Sequence, residues 1–133
     1  HLSYNVVLSS NWYKKYSNNI NRSIQVNIPE SIMYKDGPSA GLAFFMGIMT
    51  ELMSERIPED IAFTGELTLS GFVLPVGGIK EKVTAAHICG MKIVYIPKDN
   101  FPDLIKVGNK IKSALKIKLV NHYSDVLKDI WKP

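Results

Sequence analysis

Lys35-Asp36-Gly37-Pro38-Ser39-Ala40-Gly41 is the stretch of the chain best suited to chemistry, and it runs directly into the apolar segment Leu42 to Met53. Asp36 is a good N-cap, Gly37 permits a sharp bend, and Pro38 suits a first helical turn, where its missing N–H costs nothing. Ser39 then falls among unpaired backbone N–H groups at the positive end of a helix dipole, a setting that favours an anion such as the oxyanion of acyl transfer. The same residues also make an ordinary helix start, and taken alone they are better explained that way. A serine hydroxyl needs a base before it can attack. The best candidate lies in Gly77-Gly78-Ile79-Lys80-Glu81-Lys82-Val83-Thr84-Ala85-Ala86-His87, where a glycine turn opens a second helix. Ile79, Lys82, Val83 and Ala86 follow the i, i+3, i+4, i+7 rule and share one apolar face, while Lys80 falls with Thr84 and His87. Lys82 is therefore the inward lysine. Burial without a carboxylate partner is what a lysine general base requires. A lysine whose stem covers apolar surface is the plainer reading of Lys82 by itself.

Three separated motifs occur in order: Asp36-Gly37-Pro38-Ser39-Ala40-Gly41 preceded by Lys35, then Thr64-Gly65-Glu66, then Leu74 to Lys82 followed by Ala85-Ala86-His87. Together they resemble the proteolytic domain of the Lon family, specifically the A-type ATP-dependent Lon proteases. The likeness runs from about Ile24 to Pro97, and more loosely over Tyr4 to Ser9 and His122 to Leu127. It implies a Ser/Lys dyad with Ser39 as nucleophile and Lys82 as general base. Thr64 would hydrogen-bond the lysine, with Asp36, Gly37 and Glu66 as supporting residues. It further implies an α/β (α+β) fold, a mixed sheet with packed helices like the second domain of a small-subunit ribosomal protein. Misfolded, damaged and regulatory proteins are the implied substrates, and a homo-hexameric ring with an internal chamber the implied assembly. No cofactor is expected in this domain, ATP and Mg belonging to an ATPase module elsewhere. The chain departs from the family at Gln25 and Asn27, where histidines are frequent, at Tyr34, where proline is, and at Ser31, where glycine is. Changed substrate preference or pH response is expected from the first three, and the departure at Ser31 bears on the conformation of its loop.

Several elements must position such a site. With 133 residues and 46% hydrophobic content, the chain is expected to form a single domain over 1–133 with a sizeable core. Leu2 to Tyr16 reads as a helix that begins without a cap; relatives place strands before it, so the domain is expected to lack its first strands. Ser23 to Ile28 alternates as a half-buried strand. Pro38 to about Ser54 is apolar nearly all round, a central helix in which Gly41, Ala43 and Gly47 permit close backbone approach and Met46, Met49 and Met53 fill the core. Ile61 to Phe63 and Leu67 to Leu69 read as short strands around the Thr64-Gly65-Glu66 bend. Phe72 to Val76 reads either as an internal hairpin strand or as an edge for a substrate peptide. Lys92 to Ile96 is a buried strand, Phe101 to Ser113 holds short helical turns, Lys116 to Val120 is a lysine-blunted edge strand, and His122 to Trp131 an amphipathic helix.

Composition excludes some functions and leaves others open. Lys and Arg total 16 against 12 Asp and Glu, a net charge of +4. This permits weak nucleic-acid association without arguing for it, and the lysines from Lys106 to Lys118 read first as a solvated face. The single cysteine, Cys89, excludes an internal disulfide framework, suits a reducing compartment and reads as a small core residue. No apolar run reaches the ~20 residues that span a bilayer, so a soluble chain is expected. His87 and His122 are poorly placed to serve Ser39, and the three histidines and one cysteine show no metal-ligand spacing. There is no Gly-x-x-x-x-Gly-Lys-Ser/Thr phosphate loop. The preference of Lys over Arg, with the likeness of Pro75 to Lys82 and of His122-Tyr123 to organellar relatives, points to the mitochondrial matrix, with bacterial cytoplasm as the alternative. The competing functional reading is a catalytically silent oligomerisation module that keeps the motifs as packing and capping devices.

Overall fold

A computed structural model describes residues 40–131. The first element, α1 (Gly41–Met53), buries Leu42, Ala43, Phe45, Met46, Met49 and Leu52 almost completely, as an all-round apolar helix requires. It stops at Ser54, whose φ of 53° reverses the chain while its N–H donates to the Glu51 carbonyl. After an exposed loop come β1 (Ile61–Phe63), then a hairpin of β2 (Glu66–Leu67) and β3 (Val73–Leu74). The helix α2 (Ile79–Ile88) leads to β4 (Ile93–Pro97), and 3-10 turns over Lys98–Lys106 lead to α3 (Asn109–Ala114). β5 (Lys116–Val120) and α4 (Tyr123–Ile130) close the described chain.

β1, β4 and β5 form a parallel sheet in the order β1-β4-β5, with Ala62 opposite Val94 and Val94 opposite Ile117. Strand pleating sends successive side chains to opposite faces, and the two cores follow that alternation. Ile61, Phe63 and Tyr95 join α1 and the α4 residues Val126 and Leu127, whereas Ala62, Val94 and Ile96 join Ile79, Val83 and Ala86 of α2 with Val107 and Leu115. The result is an α/β fold with helices on both faces of the sheet. β4 occupies the middle and reads as a continuous apolar run because both its faces are covered. β5 lies at the edge, where Lys116 is exposed.

Most element assignments hold. The strand expected at Leu67–Leu69 starts and ends earlier, because Thr68 already begins the hairpin turn: its Oγ1 accepts the Phe72 N–H and Leu69 is 63% exposed. Of the two readings of Phe72–Val76 the hairpin is realised, and Val73 also donates to the Asn121 carbonyl at 2.9 Å. Cys89 is exposed rather than a core residue: α2 ends at Ile88, so its apolar stripe does not continue. The helix Leu2–Tyr16 and the strand Ser23–Ile28 lie outside the described residues.

The last helix is fixed at both ends. His122 caps it, its Nδ1 accepting from the Ser124 N–H while the Asp125 carboxylate accepts from the His122 N–H. At the other end Asp129 accepts hydrogen bonds from the Tyr95 hydroxyl and Lys118 Nζ, each at 2.5 Å. Lys118 first, then Tyr95, hold the Asp129 carboxyl below the usual carboxylate range, and burial first, then Asp129, pushes the Tyr95 phenol up. A depressed carboxylate contributes stability that is complete above its unfolded value of about 4 and is lost as pH falls through the lower folded value. The raised phenol contributes below about pH 10 and that contribution is lost in alkali. Asp129→Asn is expected to lower the melting temperature at pH 7 by about 2–5 °C, as befits a half-exposed pair, and by progressively less as pH falls below about 4. Thermal melts of both proteins across pH check this.

Candidate active site

Parallel strands and the helices that return to them place helix N-termini at the end of the sheet where the strands finish. α1 enters β1 and α2 enters β4, so the first turns of both helices lie at that end, on opposite faces of the sheet. One hydrogen bond fastens α1 there: the Leu42 N–H donates to the Gly65 carbonyl at 3.0 Å, satisfying a donor the helix itself cannot pair. The approach is close enough that a Cβ at Gly41 would lie 3.1 Å from the Leu67 nitrogen. The packing role expected of Gly41 is thus realised. In the sequence Ser39 immediately precedes Ala40 and Gly41. Ser39, Asp36 and Gly37 themselves lie outside the described residues.

Gly65 is pinched from three sides. Its φ is +152°, and a Cβ there would sit 2.6 Å from Val73 Cγ1, 3.5 Å from Pro97 Cγ and 3.7 Å from Leu42 Cβ. Only glycine satisfies both the backbone conformation and the space. Thr64 continues β1, its N–H donating to the Tyr95 carbonyl at 3.0 Å. By the strand alternation its side chain follows Ala62 toward the α2 face. The residue is fully buried, and among the described residues Thr64 Oγ1 is the buried side-chain polar atom without a hydrogen-bond partner. The Lys82–Thr64 hydrogen bond implied by resemblance is therefore not made in this structure. Glu66 is half-buried, opens β2 and stands opposite Leu74.

Lys82 lies in the first turns of α2, where its N–H donates to the Gly78 carbonyl at 2.9 Å. The burial follows the helix periodicity: Ile79, Val83 and Ala86 are buried and Lys82 is half-buried, whereas Lys80 is exposed. Lys82 runs back toward the helix start, as helical side chains do, with Cε 3.9 Å from the position of a Cβ on Gly78. Gly78 has φ +72° and caps α2, so its lack of a side chain serves the turn. Sequence reasoning missed one residue here. Asn100, 3% exposed, accepts the Val76 N–H at 3.0 Å and donates to the Val76 carbonyl at 2.8 Å, just before the Gly77-Gly78 turn. Its sequence neighbourhood shows only helical turns, and no local signal marks the pairing.

The chain matches the family model for the Lon protease (S16) C-terminal proteolytic domain over residues 2–132. The chain belongs to the Lon protease family. It is 45% identical to the Lon protease of Metamycoplasma arthritidis over 84% of its own length, and 48% identical to that of Desulforamulus reducens over 78%. Lon protease 2 of Borreliella burgdorferi is 41% identical over 94% of the chain. The match covers only 13%, 13% and 16% of those three proteins respectively. The matching family is that of a peptidase domain, which agrees with the reading of the motifs as peptidase motifs, and the α/β architecture described above agrees with the expected fold class.

Replacing Gly65 by alanine tests whether the bend holds this end of the sheet. Gly65→Ala is expected to destabilise the fold by about 2–4 kcal/mol through strain and the clash with Val73, read as a fall in denaturation midpoint.

Proposed function

We propose that the chain is the catalytic part of a Lon-type serine endopeptidase. Ser39 attacks a peptide carbonyl after giving its proton to Lys82, and backbone N–H groups at the start of α1 hold the oxyanion. Lys82 then protonates the leaving amine, and water releases the acyl group from Ser39. Thr64 accepts a hydrogen bond from the Lys82 ammonium and so orients it. Asp36 and Gly37 shape the turn that carries the serine, and Glu66 stands beside Thr64 as a second orienting group.

The observation that carries this reading is the Thr64 hydroxyl. It is fully buried and unpaired, next to the bend on which α1 docks, and on the sheet face covered by α2. An unpaired buried hydroxyl costs stability, commonly ~1–3 kcal/mol, and such a cost is concentrated at functional sites. Catalytic hydrogen bonds are often open without substrate and close when it binds, which accounts for the unmade bond to Lys82.

The wider function follows from the family. Unfolded, damaged and regulatory proteins are the substrates, a homo-oligomer of hexameric form encloses the sites, and ATP with Mg is handled outside this domain, whose sequence carries no phosphate loop. No helix among the described residues is long and apolar enough to cross a membrane. The relatives reported above are bacterial, which supports the cytoplasm as location and lends nothing to the mitochondrial matrix. Weak nucleic-acid association remains compatible with the charge of +4.

In the natural protein that carries this chain, Ser39→Ala and Lys82→Ala are each expected to reduce hydrolysis of a fluorogenic peptide by roughly a thousandfold or more, with Lys80→Ala within about twofold of the parent. Ser39→Ala with undiminished activity contradicts the assignment. A folded parent with no activity supports the assembly module.

A further inference from the structure

The turn that delivers Lys82 has little of its own to hold it in place. Gly77 and Gly78 carry no side chains, a Cβ at Gly77 would meet nothing within 4 Å, and Gly78 adopts a left-handed conformation. Two successive glycines leave the backbone more freedom than any other pair, so the position of the α2 start depends on what clamps the chain before them. That clamp is a side chain from another element. Asn100 stands in the 3-10 turns that follow β4, and its amide meets the Val76 backbone as a neighbouring strand would, accepting the N–H at 3.0 Å and donating to the carbonyl at 2.8 Å. Its remaining N–H donates to the Asp103 carboxylate at 2.8 Å, so both donors are used and the amide cannot turn over without breaking the pattern. Burial to 3% exposure shields these bonds from competing water.

The clamp has a fixed base. Asn100 follows Pro97, the last residue of the central strand, and Pro97 itself packs against Gly65 at the bend beside Thr64. Thr64, the end of β4 and the turn before Lys82 are thereby tied to one end of the sheet. We propose that Asn100 is a positioning residue for Lys82, setting the base relative to Thr64 without touching substrate. This inference rests on the Ser/Lys reading above. It extends that reading to a residue outside the motifs.

A base displaced by even an ångström loses rate in the chemical step and leaves substrate binding nearly unchanged. The test uses the natural protein that carries this chain, a fluorogenic peptide, and four variants: Asn100→Ala, Asn100→Asp, Ser39→Ala and Val107→Ala. Val107 is a buried core residue in the cluster beneath α2 and serves as a control for lost stability alone. Asn100→Ala is expected to lower kcat at least tenfold with KM within about twofold. Asn100→Asp keeps the acceptor for the Val76 N–H but turns both donor contacts into repulsions, against the Val76 carbonyl and the Asp103 carboxylate, so it is expected to lower kcat at least as far as Asn100→Ala. Val107→Ala should melt at a lower temperature yet keep kcat within about threefold when assayed well below its melting temperature. If Asn100→Ala and Val107→Ala lose kcat in the same proportion to their loss of stability, Asn100 is merely structural and the proposal is overturned. If the parent activity survives Ser39→Ala, the Ser/Lys reading fails, and this inference fails with it.

Discussion

The docking of α1 on the Gly65 bend is the contact from which the rest of the site takes its position. A helix start has donors that it cannot pair internally, and here the Gly65 carbonyl takes the Leu42 N–H. For that bond to form, two backbones must approach without side chains between them, which is why Gly41 and Gly65 face each other across the contact. The consequence reaches in both directions along the chain. Upstream it fixes Ala40 and Gly41 at the start of α1; downstream it fixes Thr64 at the end of β1, with Val73 and Pro97 packed against the same glycine. An all-round apolar α1 supplies the burial that keeps this junction in place, since Leu42, Phe45 and Met46 are wholly enclosed.

The parallel sheet then brings in the second half of the proposed site from the other face. α2 returns antiparallel to the strands, so its first turn, with Lys82, arrives at the end where Thr64 stands. Two helix starts and one strand end converge there, as sites do in parallel-sheet proteins. The cost is a buried hydroxyl left without a partner at Thr64, where the other buried side-chain polar atoms among the described residues are paired. Strain and unsatisfied groups collect where a reaction has to be done, because a site filled with mutual bonds has none left for substrate.

Much of this was legible in the residues, for reasons that differ from element to element. The 3.6-residue period separated Lys82 from Lys80 because α2 has one covered face and one exposed face, and the exposure of Lys80 follows from the same geometry. β4 and β5 were legible as strands because one is apolar throughout and the other alternates with lysine. The motifs at Asp36 to Gly41, Thr64 to Glu66 and Leu74 to Lys82 pointed to the family before any geometry did. Cys89 was misplaced because the helix ends one residue before it, and the position of a helix end depends on the following Gly90 turn more than on apolar spacing. Asn100 was invisible for a different reason: its partner Val76 lies 24 residues away in the chain, and only the folded sheet brings a side-chain amide beside that backbone. The unpaired Thr64 hydroxyl is likewise a property of packing, which no propensity encodes.

The central claim is that Lys82, Thr64 and the serine turn form one catalytic unit at the end of the sheet. The most direct test is a crystal structure of the natural protein with a peptide boronate bound, since a boronate takes the tetrahedral form of the reacting carbonyl. The account predicts a bond from boron to Ser39 Oγ, with Lys82 Nζ within about 3 Å of both that oxygen and Thr64 Oγ1. A boronate bound to Ser39 with Lys82 turned away and Thr64 Oγ1 still unpaired would contradict it.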